Sequence, residues 1–357
     1  MSVSFWLRND SMVVILRSAV VVIFWSAAGL LSAFAADPES KVWQPSRCEV
    51  VPLAGHQVSL RVDGAERLRW HHGPQYPRPF FFPLLGPSGE PLTRMGHPGA
   101  ENHDHHRSVW FAHHDVGGLD FWADGRQTQI RQKHWYGYFG GEQEGIIATK
   151  LGWYAPDGRE LLEQDMIAAI LPRDDGQYEL ELQIDLRPGL AGETVNLGKT
   201  NFGLLAVRVA ESLSVHFGGG KLTNSEGGSK ESEIFGRAAK WVDYSGPVAV
   251  GVGEQRRVLV EGITYFDHPD NPRYPNRWHV REDGWMGASL CFDEGHSVSA
   301  TQGLRLRYLL WVHRGGADPS GAEAIRAEFA ARPPWLIRKA RPDERHRQYV
   351  VERSSQP

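Results

Sequence analysis

Nine consecutive residues constrain the architecture of this chain more than any other feature. Tyr178-Glu179-Leu180-Glu181-Leu182-Gln183-Ile184-Asp185-Leu186 alternates apolar and polar side chains without a break. An extended backbone puts every second side chain on one face, so the segment predicts a β-strand with one buried and one wet face. Leu304-Arg305-Leu306-Arg307-Tyr308 repeats the logic. Similar runs predict strands at 57–62, 67–71, 79–84, 108–113, 129–138, 145–153, 161–171, 204–210, 248–252 and 258–266. Asp63-Gly64, Asp157-Gly158 and Asp175-Gly176 are turn signals between them. One helix is expected, capped by Ser320 over 321–331, with Ala324, Ile325 and Phe329 on one side and Pro333-Pro334 ending it. The 39 Gly and 22 Pro in 357 residues argue against a helix bundle, because both break helices. The expected fold is all-β, a large antiparallel two-sheet β-sandwich occupying residues 36–336 as one domain. No repeat of propeller length is visible.

The first 35 residues read as a secretory signal. Arg8 and Arg17 are its basic part, Ser18 to Leu31 its apolar run, and Ala33-Phe34-Ala35 its cleavage signal. The expected location is periplasmic or secreted, with no membrane span after cleavage. Residues 337–357, rich in Arg338, Lys339, Arg341, Arg345, Arg347 and Arg353, are expected to form a poorly ordered basic tail. With a net charge of −4 and no concentrated basic face elsewhere, nucleic acid is excluded as a partner. Cys48 and Cys291 admit either a disulfide or two buried thiols.

Histidine points to the chemistry. Six of the 16 histidines fall between His97 and His114. After His97, the other five lie in the run His103-Asp104-His105-His106-Arg107 and at His113-His114, at the end of the next strand. Imidazoles two apart, mixed with carboxylates and Arg107 in a Gly/Pro-rich segment, suit general acid–base work. They also suit a divalent metal held by His103, His105 and His106, although no complete ligand motif such as His-Glu-x-x-His occurs. A second segment, Phe266-Asp267-His268-Pro269-Asp270-Asn271-Pro272-Arg273, continues through Trp278-His279-Val280-Arg281. Its prolines stiffen a loop presenting imidazole, carboxylate and guanidinium groups, which suits a hydroxylated or acidic ligand, or else a corner held by ion pairs. A third, from Asn224 to Glu231, reads as a surface loop that could lend Glu231. Trp110, Trp122, Trp278 and Trp285 lie near these segments, and a flat indole can stack on a sugar ring.

Together these segments resemble the bacterial PmoA-like family. The resemblance rests on Asn102-His103-Asp104-His105-His106-Arg107-Ser108-Val109-Trp110-Phe111, His113-His114-Asp115-Val116, Asp120-Phe121-Trp122, Phe266 to Arg273 and Trp278-His279. Phe202–Leu204, Asn224–Gly227 and Trp241–Tyr244 extend it, so that it covers Pro77 to Gly315. Ser108 stands where the pattern has Gly, and Gly284–Phe292 also departs from it. The resemblance implies the supersandwich of galactose-mutarotase-like proteins, in which a concave sheet carries groups that shuttle protons on a sugar.

The expectation is an extracytoplasmic carbohydrate-active enzyme, a hydrolase, lyase or epimerase. Its catalytic candidates are His103, His105, His106, Arg107, His113, Asp267, His268 and His279. Its substrate-binding candidates are Trp110, Asp120, Trp122, Glu231, Asn271, Arg273 and Arg281. A non-catalytic carbohydrate-binding protein and a metal-dependent oxidoreductase are the competing readings. Oligomeric state is left open.

Overall fold

The computed structural model describes residues 44–97, 99–100, 103–190 and 192–355. The expected signal at 1–35 lies outside them. Chain order begins β1 Cys48–Leu53, β2 Gln57–Val62, β3 Ala65–His71, β4 Phe80–Leu84, β5 Val109–Ala112, β6 Gln129–Phe139 and β7 Gly145–Tyr154. It continues β8 Glu160–Pro172, β9 Tyr178–Pro188, β10 Thr194–Leu197, β11 Leu204–Arg208, α1 Val215–Gly218, β12 Lys221–Asn224, α2 Glu231–Ile234 and β13 Trp241–Val250. It ends β14 Arg257–Asp267, β15 Arg277–Arg281, β16 Trp285–Ser289, β17 His296–Ser299, β18 Leu304–Arg314, α3 Pro319–Ala331, β19 Trp335–Lys339 and β20 Tyr349–Arg353.

Two eight-stranded antiparallel sheets carry the fold. The first runs β1-β2-β3-β4-β5-β11-β16-β15 and the second β12-β13-β14-β18-β9-β8-β7-β6. The expected two-sheet architecture is what forms. Asp63 and Gly64 both take positive φ (52° and 76°) in the β2–β3 turn, the conformation that favours Asp-Gly in tight hairpins. The sheets pack through alternate residues: the Phe111 ring meets Trp153 of β7 at 6.1 Å, and the Trp278 ring meets Tyr265 of β14 at 4.9 Å.

Three expectations change. The outer face of β9 is wet only at its end: Glu179, Glu181 and Gln183 are as buried as the leucines between them, and exposure returns at Asp185 and Arg187. Helix α3 covers part of that outer face, burying Ala322, Ile325 and Phe329 against Trp241, Phe266 and Leu309. The helix is capped by Asp318, whose carboxylate accepts the Ser320 amide at 3.1 Å, rather than by Ser320. The expected basic tail at 337–357 is instead largely ordered chain. β19 and β20 pair, and Trp335 packs on Ile146, Ala148, Ile167 and Ala169 of the second sheet. Ion pairs from Arg338 to Glu344 and Glu352 spend its charge internally. Cys48 and Cys291 are buried free thiols, each pushed up to about 11 by burial.

Candidate active site

The period-two rule that turns Phe111, Leu205 and Trp278 toward the second sheet turns their neighbours the other way. Trp110 of β5, Arg208 of β11, Trp285 of β16, and His279 and Arg281 of β15 therefore share the far face of the first sheet. Register aligns them: Arg208 pairs with Trp285, and Trp285 with Arg281. The segment before β5 folds back over this face. Gly96 donates to the His106 carbonyl at 2.7 Å and His106 to that of His103 at 3.1 Å, which turns the histidine run inward. Ser108 completes the turn at φ 56°, the left-handed region where glycine is favoured. Its hydroxyl is tied to Thr93 at 2.7 Å.

A cavity of about 460 Å³ opens between this cover and the sheet. Its walls include His103, His105, His106, His114 and His279, with Arg126, Arg208 and Arg281, Asp120 and Asp283, and Trp122, Phe202 and Trp285. The His106 ring stacks on Trp110 at 5.4 Å and lies 4.5 Å from His105 and 5.1 Å from His103. Trp110, Trp122 and Trp285 pack on one another at 5.2–5.5 Å.

Burial sets the charge state of these imidazoles. It pulls His105 and His279 down to about 4, and His106 further, with help from neighbouring imidazoles and guanidiniums. All three are neutral near pH 7. His279 Nδ1 lies 3.0 Å from the Asn201 carbonyl, which can only accept. The proton therefore sits on Nδ1 and Nε2 carries a free lone pair.

The two cavity carboxylates are already engaged. Asp283 accepts Arg208 Nη1 at 2.7 Å on one oxygen and faces His97 Nε2 at 3.3 Å on the other. Burial alone would raise the Asp283 pKa, but the Arg208 hydrogen bond and charge hold it below the usual carboxylate range. Asp120 accepts the amides of Trp122 (2.7 Å) and Ala123 (3.1 Å), with Arg126 and His114 each at 3.4 Å. Among the described residues no three His, Cys, Asp or Glu side chains converge as metal ligands do. The His103–His106 group contributes ring-to-ring contacts instead.

The expected site residues divide accordingly. His103, His105, His106, Asp120, Trp122, His279 and Arg281 meet at the cavity. Trp110 supports it from beneath. Arg107 turns aside to Asp124 and over the Tyr76 ring. His113, fully buried, sits 2.9 Å from the Gly198 carbonyl, and burial lowers it to about 4. Glu231 pairs with Arg281 at 2.6 Å and so holds a cavity residue from behind.

The remaining candidates brace the fold. Asp267, fully buried, accepts from Asn271 (2.7 Å) and Asn276 (2.9 Å). His268 lies against Arg307 and the Phe329 carbonyl. Arg273 donates to the carbonyls of Leu290 and Gly295. The second loop is thus a corner, and only the strand after it reaches the cavity. Sequence reading missed Arg208, Asp283, Arg126 and Asn201. Arg208 did leave a signal, as a lone charge inside the apolar run Leu204-Leu205-Ala206-Val207-Arg208-Val209-Ala210.

A covered cavity of imidazoles, guanidiniums and indoles, on the outer face of an antiparallel two-sheet sandwich, defines the class of molecule. By sequence, the chain belongs to DUF6807, a family of unknown function, matching it over residues 57–327. No curated protein matches its sequence. Among solved structures, the 4-alpha-glucanotransferase from Thermococcus litoralis aligns with a TM-score of 0.30 and 10% identity, over 76% of this chain and 40% of that one. The crystal structure of HI1317 aligns with a TM-score of 0.24 and 8% identity, over 74% and 99%. No helix among the described residues is long and apolar enough to cross a membrane.

Proposed function

We propose that this chain is an extracytoplasmic carbohydrate-active enzyme of the lyase or epimerase type. His279 takes a proton from a hydroxylated ring, and the His103–His106 group returns or relays one. The observation that carries this reading is the state of His279. It is a strand-borne imidazole, neutral at physiological pH, with its tautomer set by the Asn201 carbonyl and its basic nitrogen left over. A base must be unprotonated and held in place before it can act. Hydrolysis fits less well. Glycoside hydrolysis ordinarily uses two available carboxyl groups, and Asp120 and Asp283 are both bound to protein donors. The resemblance of the motifs to the PmoA-like pattern supports the same carbohydrate reading, because the fold it implies carries histidine and carboxylate groups that shuttle protons on a sugar ring.

The test is turnover by the wild type and by His106→Ala and His279→Ala, assayed on polysaccharides and on neutral, uronic and keto sugars. The expected result is product from the wild type and a loss of roughly 10²- to 10⁴-fold in kcat for His279→Ala, the usual range for removing a general base. Unchanged turnover in both variants overturns the assignment. Saturable binding without product from the wild type replaces it with a binding protein.

A further inference from the structure

The guanidinium of Arg208 is the most deeply buried charge facing the cavity. Its side chain is 1% exposed. Nη1 is bound to Asp283, yet neither Nε nor Nη2 meets an acceptor among the described residues. Nε and Nη2 form one edge of the guanidinium fork, the edge that matches both oxygens of a carboxylate. Trp285 stands directly opposite on the neighbouring strand, and its indole Nε1 is also buried without an acceptor. Arg281 is opposite Trp285 on the next strand. Arginine and tryptophan only donate, so this cross-strand row presents donors alone. Buried donors left unmatched are costly, which makes the row a place built to receive an acceptor.

Charge narrows the acceptor. Three guanidiniums line the cavity (Arg126, Arg208 and Arg281) against two carboxylates (Asp120 and Asp283), with the deeply buried imidazoles neutral. Glu231 pairs with Arg281 and offsets that third charge, which disfavours a phosphate dianion, while the flat two-donor edge of Arg208 fits a carboxylate.

We propose that the Arg208–Trp285 row is a carboxylate subsite and that the substrates of this cavity are sugar acids, gripped by the Nε–Nη2 edge of Arg208. Asp283 and His97 behind Arg208 orient the guanidinium. The inference rests on the carbohydrate reading of the same cavity, and it adds the charge of the substrate to it.

Titration calorimetry on the full chain tests it. The ligands are glucuronate and galacturonate, their methyl esters, the matching neutral sugars, and inorganic phosphate. The expected result is uronate binding at least about tenfold tighter than the ester or neutral sugar, because the ester keeps the shape and removes the charge. Arg208→Met abolishes that preference and Arg208→Lys keeps only part of it, since an ammonium cannot present the fork. The wild-type comparison of acid with ester needs no variant, so misfolding of Arg208→Met leaves the test intact. Equal affinity for acid and ester, absence of uronate binding, or tighter binding of phosphate each overturns the carboxylate subsite. Turnover of neutral sugars lost in His279→Ala would sink this inference while leaving the acid–base reading standing.

Discussion

Acidification from pH 7 to pH 5 is expected to destabilise the folded chain by at least about 3 kcal/mol, before any carboxylate of ordinary pKa has titrated. The cause is the set of histidines that burial keeps neutral. His113 and His279 are lowered to about 4 and His106 further, all three nearly inaccessible to solvent. Partly buried His72 and His105, and His268 in the corner, are also lowered to about 4. Each has a depressed folded pKa. Between about 6.5 and 4 the unfolded chain binds a proton that the folded chain refuses, so stability falls as pH falls. Each deeply buried histidine contributes up to about 1.4 kcal/mol per pH unit in that window. Asp267 works in the opposite sense. Burial raises it to about 6, so the folded chain takes up a proton there that the unfolded chain binds only lower. Glu144 and Glu261, also raised by burial, act the same way, and so does His313, which burial would lower but the Asp243 hydrogen bond and charge raise. The lowered histidines outnumber these groups, and their window opens above that of the carboxylates. Urea unfolding at pH 7, 6 and 5 measures the slope, and His113→Asn should reduce it by about one proton. A flat profile, or higher stability at pH 5, contradicts the assignment of neutral buried imidazoles.

The difference between reading the sequence and reading the fold lies in what alternation can report. Period two identifies a strand and divides its residues between two faces, and the long strands β7, β8, β9 and β14 follow from it closely. It does not say what covers each face. Glu179, Glu181 and Gln183 look solvent-facing in sequence because they are polar, yet α3 and β19–β20 lie over them; arginines from distant segments satisfy the two carboxylates, and the Trp335 backbone satisfies the Gln183 amide. Short strands such as β10, β12, β15 and β16 carry too few residues for a period to show. The same limit explains the site. The histidine run was visible as local density, and seven of the expected residues do meet. Arg208 and Asp283 are 75 positions apart and join only because β11 and β16 are neighbours. Asp267, His268 and Asn271 have the residue types of a catalytic loop, but their partners are each other, Asn276 and Arg307. Residue type alone does not separate a polar corner from a polar pocket.

Glu181→Ala is expected to cost about 3–5 kcal/mol of stability and to release the C-terminal hairpin. The carboxylate is wholly buried at the centre of β9. One oxygen accepts from Arg353 (2.9 Å) and Arg307 (3.2 Å), the other from Arg353 (2.8 Å) and Arg332 (3.2 Å). Burial would raise its pKa, but the Arg353 hydrogen bonds and the three positive charges outweigh that and hold it low. These arginines come from β18, the neighbour of β9 in the second sheet, from the end of α3 and from β20, so one carboxylate ties two later segments to that sheet. Its removal leaves three guanidiniums crowded together. Their remaining acidic neighbours are Glu179 and, at 3.9 Å, Glu328 for Arg332, Asp270 at 3.9 Å for Arg307, and Glu144 at 3.7 Å for Arg353. Breaking one side of a buried ion network is costly because the surviving charges stay desolvated. Arg353 also lies over the Trp335 ring at 4.0 Å, so losing its anchor loosens the indole that fixes β19. Glu181→Gln should fall between the wild type and Glu181→Ala, since the amide keeps one acceptor and the side-chain volume. Chemical denaturation gives the stability, and limited proteolysis reports the hairpin, with early cleavage between residues 335 and 353 in Glu181→Ala. A loss below about 1 kcal/mol, with the hairpin still protected, would mean that Trp335 and its apolar seat hold the C-terminus without the ionic clamp.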